Sequence, residues 1–179
     1  MTNARILIVE DEAITVSALK RELVSLGYEV AATASTADEA LKTVELHKPD
    51  LVLMDITLAG TVNGIVGAVA IRGNFHVPVV FLTAHADAGT MERAVAAGAF
   101  GYVLKPFSGA GLKAAIETAL HKHQTEIENR RAADLASRNR EPRLISDMEH
   151  RLKSLCATQV SRLIFLPGRD FCLEGIWVQ

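Results

Sequence analysis

Cysteine is scarce in this sequence: Cys156 and Cys172 are the only two, both in the last quarter, and they build no disulfide framework. That points to a reducing, cytoplasmic compartment. No apolar run approaches the roughly 18–20 residues of a membrane helix, and acid follows the first apolar run too early for a signal peptide. Nor is there an excess of one charge. Nineteen Lys and Arg against 21 Asp and Glu leave a net charge of -2, so no basic field recruits nucleic acid. Aromatics make up only 5% of the 179 residues, yet 49% are hydrophobic, ample for a packed core.

The apolar residues come as short runs alternating with helical patterns. Ile6 to Val9 ends at Glu10 and Asp11, and a helix follows with Ile14, Leu19, Leu23 and Leu26 on or near one stripe, stopped by Gly27. Tyr28 to Thr33 is a second strand, and Thr36 with Glu39 forms a capping box before a helix carrying Ala40, Leu41 and Val44. Leu51 to Met54 closes at Asp55, and a glycine-bearing loop leads to a helix at 64–73. Val77 to Leu82 closes at Thr83, and a helix at 88–97 is capped by Gly98. Gly101 to Leu104 precedes Lys105 and Pro106, and 109–123 is a fifth helix with Leu112, Ile116 and Leu120. Five apolar strands alternating with five helices predict an α/β fold, a parallel sheet covered on both faces.

In such sheets chemistry gathers beyond the carboxyl ends of the strands. Glu10, Asp11, Asp55, Thr83 and Lys105 all fall there. Three carboxylates at one rim repel one another, and a hard divalent cation such as Mg2+, which takes oxygen ligands, relieves that repulsion. A carboxylate can also be a nucleophile that forms an acyl phosphate, with a lysine and a threonine hydroxyl holding the phosphoryl oxygens.

Four pieces in this order, Ile6 to Glu12, Leu51 to Ile56, Val79 to Ala84 and Gly101 to Phe107, resemble a response-regulator receiver domain of two-component signalling over residues 4–122. The resemblance implies a flavodoxin-like, doubly wound five-stranded parallel sheet of order 2-1-3-4-5. It also implies that Asp55 accepts a phosphoryl group from a partner's phosphohistidine. Mg2+ would be held by Glu10, Asp11, Asp55 and the backbone carbonyl of Thr57, with Glu10 acting through water. Thr83 and Lys105 would bind the phosphoryl group, Tyr102 would be the switch aromatic that follows Thr83, and the Lys105–Pro106 bond would be cis. Glu10 stands where Asp is commoner in the family, and Ala59 where proline often follows the acceptor.

The expected organisation is a receiver over 1–123, a charged helical linker over 124–142 broken at Pro142, an amphipathic helix over 143–166 and an irregular tail over 167–179. The stripe Leu144, Ile145, Met148, Leu152, Leu155, Val160 and Leu163 cannot bury itself alone, so it needs the receiver or a second copy. Its residues 144–155 are similar to the phosphoacceptor helix of His-Arg-x-Lys-Asn histidine kinases. By that likeness His150 would be a second phosphoacceptor, although a solvated position on a dimerising helix is the favoured reading. Ser154 replaces the family's asparagine, and no ATP-binding domain fits in the remaining length.

No phosphate-binding glycine loop or dinucleotide fingerprint is present, and no winged helix or helix-turn-helix, so direct DNA binding is not expected. The expected protein is a signalling switch rather than an enzyme. Its partners are a sensor histidine kinase or phosphotransfer protein, with a homodimer through the fifth helix or the C-terminal helix. The alternatives are a phosphorelay node or truncated hybrid kinase using His150, and, ranked low, an aspartate-nucleophile phosphatase. The last fits poorly because Asp55 follows the third strand and Thr57 stands where that family has a second acid.

Overall fold

A computed structural model describes the backbone of residues 4–58, 63–84 and 88–163, with side chains over the same range except 88, 90, 91, 95 and 138–163. The elements run β1 (Arg5–Val9), α1 (Ala13–Ser25), β2 (Glu29–Ala34), α2 (Ala37–His47), β3 (Leu51–Asp55), α3 (Gly64–Phe75), β4 (Val79–Thr83), α4 (Ala88–Ala96), β5 (Gly101–Leu104) and α5 (Gly109–Leu163). The strands pair in the order β2-β1-β3-β4-β5, all parallel. This is the flavodoxin-like doubly wound sheet, with α5 as a C-terminal helical extension.

Side chains alternate across the sheet with the period of two that a strand imposes. Leu7, Val9, Val52, Met54, Val79 and Phe81 face one layer, where Ala40 and Val44 of α2, Ala68 and Ile71 of α3 and Ala94 of α4 cover them. Ile6, Ile8, Leu51, Leu53, Val80, Leu82 and Val103 face the other, under Leu19 and Leu23 of α1 and Leu112, Ile116 and Ala119 of α5. The central strands β1, β3 and β4 are buried on both faces, so their sequences read as unbroken apolar runs.

Local signals set several boundaries. Thr36 Oγ1 accepts from the Glu39 amide at 3.2 Å, while the Glu39 carboxylate reaches one residue past the cap to the Ser35 amide and hydroxyl. Gly98 follows α4 at φ 74°, a left-handed conformation that glycine adopts without strain. The Lys105–Pro106 bond is cis.

Two expectations need correction. Ile14 is 79% exposed and lies off the α1 stripe, because five residues separate it from Leu19 and a helix returns to the same face after three or four. The break expected at Pro142 is absent, since α5 is continuous from Gly109 to Leu163. A mid-helix proline deletes one hydrogen bond and costs about 3 kcal/mol. Here Arg140, Glu141, Arg143 and Leu144 flank it, all good helix formers, so the loss stays local. The chain divides into two compact units, Met1–Glu128 and Asn129–Gln179. The expected tail over 167–179 lies outside the described residues.

Candidate functional site

At the carboxyl ends of three neighbouring strands, the chain turns from apolar to charged within one residue. β1 runs out into Glu10 and Asp11, β3 ends on Asp55, and β4 ends on Thr83, one position beyond the register partner of Asp55. Glu10, Asp55 and Thr83 are the buried polar residues of the described core, whereas Asp11 is exposed. Parallel registration puts these ends side by side, although 45 residues separate Glu10 from Asp55 in sequence.

One carboxylate oxygen each of Glu10, Asp11 and Asp55 lies within 4.8 Å of the others. Lys105, just past β5, enters the cluster and donates from Nζ to Glu10 Oε2 at 2.6 Å and to Asp55 Oδ2 at 2.7 Å. The second oxygens are engaged by backbone: Asp55 Oδ1 accepts from the Thr57 amide at 3.1 Å, and Glu10 Oε1 from the Glu12 amide at 3.3 Å. Burial pushes the Glu10 carboxyl above its ordinary range, and the neighbouring Asp55 charge adds to that, against the pull of Lys105. Burial alone would lower the Lys105 ammonium, but the hydrogen bonds and charges of Asp55 and Glu10 outweigh it and the net shift is upward.

The cluster is therefore an acidic pocket whose repulsion one lysine only partly offsets. Its oxygen-only donor set, with Asp11 open to solvent, suits a hard divalent cation. The chain places Glu10, Asp11, Asp55 and Lys105 together, and Thr83 beside them. Tyr102 is on β5, half exposed. The side chain of His150 lies outside the described residues, as does that of Ala59.

Gly64 opens the third helix as expected, but its close approach to Asp55 is visible only in the fold. A Cβ at this position would collide with the carbonyl oxygen of Asp55 and stand 3.0 Å from its carbonyl carbon. The Gly64 amide donates to Ile56 O at 3.2 Å, so the first residue of α3 is pressed against the end of β3. Asn63 caps the same helix, its Oδ1 accepting from the Val66 amide at 3.0 Å. The Asn-Gly pair opening a helix was the available signal.

Residues 6–117 match the response regulator receiver domain family. The chain belongs to that family. The receiver is 42% identical over 118 residues to the transcriptional regulatory protein PdtaR of Mycobacterium tuberculosis, a match spanning 66% of this chain and 57% of that one. This chain thus covers a little over half the length of that relative. The DNA-binding response regulator MtrA of the same organism is 31% identical over 182 aligned positions, spanning 97% of this chain and 78% of MtrA. Among solved structures, the signal receiver domain of a modulated diguanylate cyclase from Desulfovibrio desulfuricans superposes with a TM-score of 0.65 at 34% identity, covering 69% of this receiver-containing chain and 98% of that domain.

Proposed function

We propose that Asp55 of this response regulator is phosphorylated by a partner sensor histidine kinase or phosphotransfer protein. A carboxylate oxygen of Asp55 attacks the phosphorus of a phosphohistidine, the P–N bond breaks, and the imidazole leaves and is protonated. The observation that carries this reading is the juxtaposition of Asp55 with Glu10, Asp11 and Lys105. An isolated buried acid would be a poor acceptor of further negative charge. Here Lys105 already sits at hydrogen-bond distance to neutralise it, the Thr57 amide donates to the same carboxylate, and Thr83 ends the neighbouring strand.

The donor set fits Mg2+, which Glu10, Asp11, Asp55 and the Thr57 carbonyl would hold. Bound there, the ion would neutralise charge on the transferring phosphoryl group. Lys105 would then shift from bridging two carboxylates to pairing with the phosphoryl oxygens, and Thr83 would donate to them. Tyr102, half exposed on β5, is the aromatic that would follow Thr83.

The phosphoryl group adds charge and acceptor oxygens at one end of the sheet, which biases the packing of α4, β5 and α5 between two arrangements. Output would run along α5 as a homodimer contact or as a docking surface for another protein. The receiver proper would occupy 1–123, with a charged helical linker after it and an amphipathic segment from 143. Direct DNA binding is not part of this reading, because residues 129–163 form one helix of mixed charge. The reading places the protein in the cytoplasm, as a switch and not as an enzyme acting on small molecules. Among the described residues no helix is long and apolar enough to cross a membrane.

The test is incubation with acetyl phosphate and Mg2+ followed by mass spectrometry. One phosphoryl group on Asp55, lost in Asp55→Asn and on chelation of Mg2+, is expected. An unmodified Asp55 in a folded protein would overturn the assignment.

A further inference from the structure

At the opposite end of the sheet from Asp55, one arginine joins elements that otherwise belong to different layers. Arg72 lies in the last turn of α3, the helix whose first residue, Gly64, is pressed against the end of β3. Its Nη1 donates to the carbonyl of Gly98, the residue that turns the chain from α4 toward β5. Its guanidinium carbon stands 5.0 Å over the Phe100 ring, and Nη2 lies 3.4 Å from Glu126 Oε1 on α5. Phe100 in turn meets the His123 ring edge-on at 5.7 Å.

The arrangement is specific. α3 packs on one face of the sheet, yet Phe100 belongs to the core on the other face, under α1 and α5. A Cβ at Gly98 would collide with the Arg72 guanidinium, so the left-handed glycine both turns the chain and leaves room for the arginine. The side chains of the ion pair to Glu126 are 36% and 41% exposed, so it contributes little alone. The charge-assisted bond to Gly98 O and the stacking on Phe100 fix the guanidinium, and the ion pair then holds the α5 turn that carries Glu126.

We propose that Arg72 is a positioning residue that fixes the segment of α5 at residues 123–126 and, through α3, links it to the state of Asp55. The helix spans about 18 Å at its 12 residues, enough to run from the acceptor end of the sheet to this cluster. The Gly64 amide is bonded to Ile56 O, directly after the acceptor, so a shift of the Asp55 backbone on phosphorylation would reach the start of α3, and a packed helix transmits such a displacement to its far end as a rigid body. The link rests on the phosphorylation of Asp55 proposed above. The clamp on α5 does not.

Amide hydrogen exchange on the full chain tests both, with Asp55 modification followed by mass in the same samples. In unmodified protein, Arg72→Ala is expected to speed exchange at residues 120–128 about tenfold, leaving 112–119 unchanged. In acetyl phosphate and Mg2+, exchange at 120–128 should change in the wild type and not in Arg72→Ala, although both take the phosphoryl group equally. Glu126→Gln, which leaves the Gly98 and Phe100 arms of Arg72 in place, should give a smaller change in the same residues and covers the case in which Arg72→Ala does not fold. Unaltered exchange at 120–128 in both variants overturns the clamp. A phosphorylation response that survives in Arg72→Ala overturns the link. Should wild-type Asp55 remain unmodified, the proposed function and the link fail together, while exchange in unmodified protein still decides the clamp.

Discussion

Lys105 Nζ donates to Asp55 Oδ2 across 2.7 Å, although the two residues are fifty apart in sequence. The same ammonium reaches Glu10, so one cation serves two buried carboxylates. Lys105→Met would leave both without their neutralising partner. Native stability should fall by about 2 kcal/mol, measured by urea denaturation without divalent cations, since an uncompensated buried charge costs more than the pair contributes.

The same substitution makes a separate prediction for Mg2+. In the wild type the cation competes with an ammonium for the carboxylates, and in Lys105→Met it does not. Mg2+ should therefore raise the melting temperature more in the variant than in the wild type. An equal response would show that the cation does not use Glu10 and Asp55.

Gly64→Ala should be costly out of proportion to one methyl group. The atom it meets is the Asp55 carbonyl oxygen, held by its own strand, so the start of α3 must move instead. A loss of about 2 kcal/mol or more in thermal denaturation is expected. Phosphorylation from acetyl phosphate should slow as well, because the displaced loop leads directly from the acceptor.

His76 closes α3 in a left-handed conformation, φ 56° and ψ 29°, which a residue with a Cβ adopts only with strain. His76→Gly relieves that strain and raises the entropy of the unfolded chain, and the first effect is the larger. A gain of about 0.5 kcal/mol is expected, and a loss on chemical denaturation would show that the imidazole contributes more than its backbone costs.

Glu39 supplies a pH dependence of definite sign. Hydrogen bonds from the Ser35 amide and hydroxyl hold its carboxyl below the ordinary value of 4.5. The unfolded chain titrates at the ordinary value, so the contribution is present above it and is lost as pH falls through the lower native value. The stability difference between wild type and Glu39→Gln should be constant from neutrality to about pH 5 and shrink below that. A difference that persists to strong acid would assign it to packing.

Much of this molecule follows from local pattern. The runs Ile6 to Val9, Leu51 to Met54 and Val79 to Leu82 are apolar without alternation because both faces are covered, and that alone marks central strands of a parallel sheet. The Thr36 cap and the glycine at position 98 mark helix ends through hydrogen bonds between near neighbours and a single dihedral angle, so they too are visible in sequence, although the Glu39 carboxylate bonds Ser35 and not the Thr36 amide. The acidic residues ending β1 and β3 and the lysine after β5 were legible for the same reason: a parallel sheet sends every strand end to one rim.

What sequence could not supply were contacts whose two partners lie on different elements. The fit of Gly64 against the Asp55 carbonyl depends on how α3 approaches β3, and the reach of Arg72 to Gly98, Phe100 and Glu126 depends on three connections closing at the far end of the sheet. Ile14 faces outward for a reason already contained in the spacing along α1, since it stands five residues from Leu19 and a helix returns to one face after three or four. Pro142 failed to end α5 because one lost hydrogen bond is small beside the helix around it. Periodicity and capping are properties of neighbours along the chain, and they settled the elements and the rim on which the charges gather. Close approach between distant backbones is a property of packing, and only the folded chain decided it.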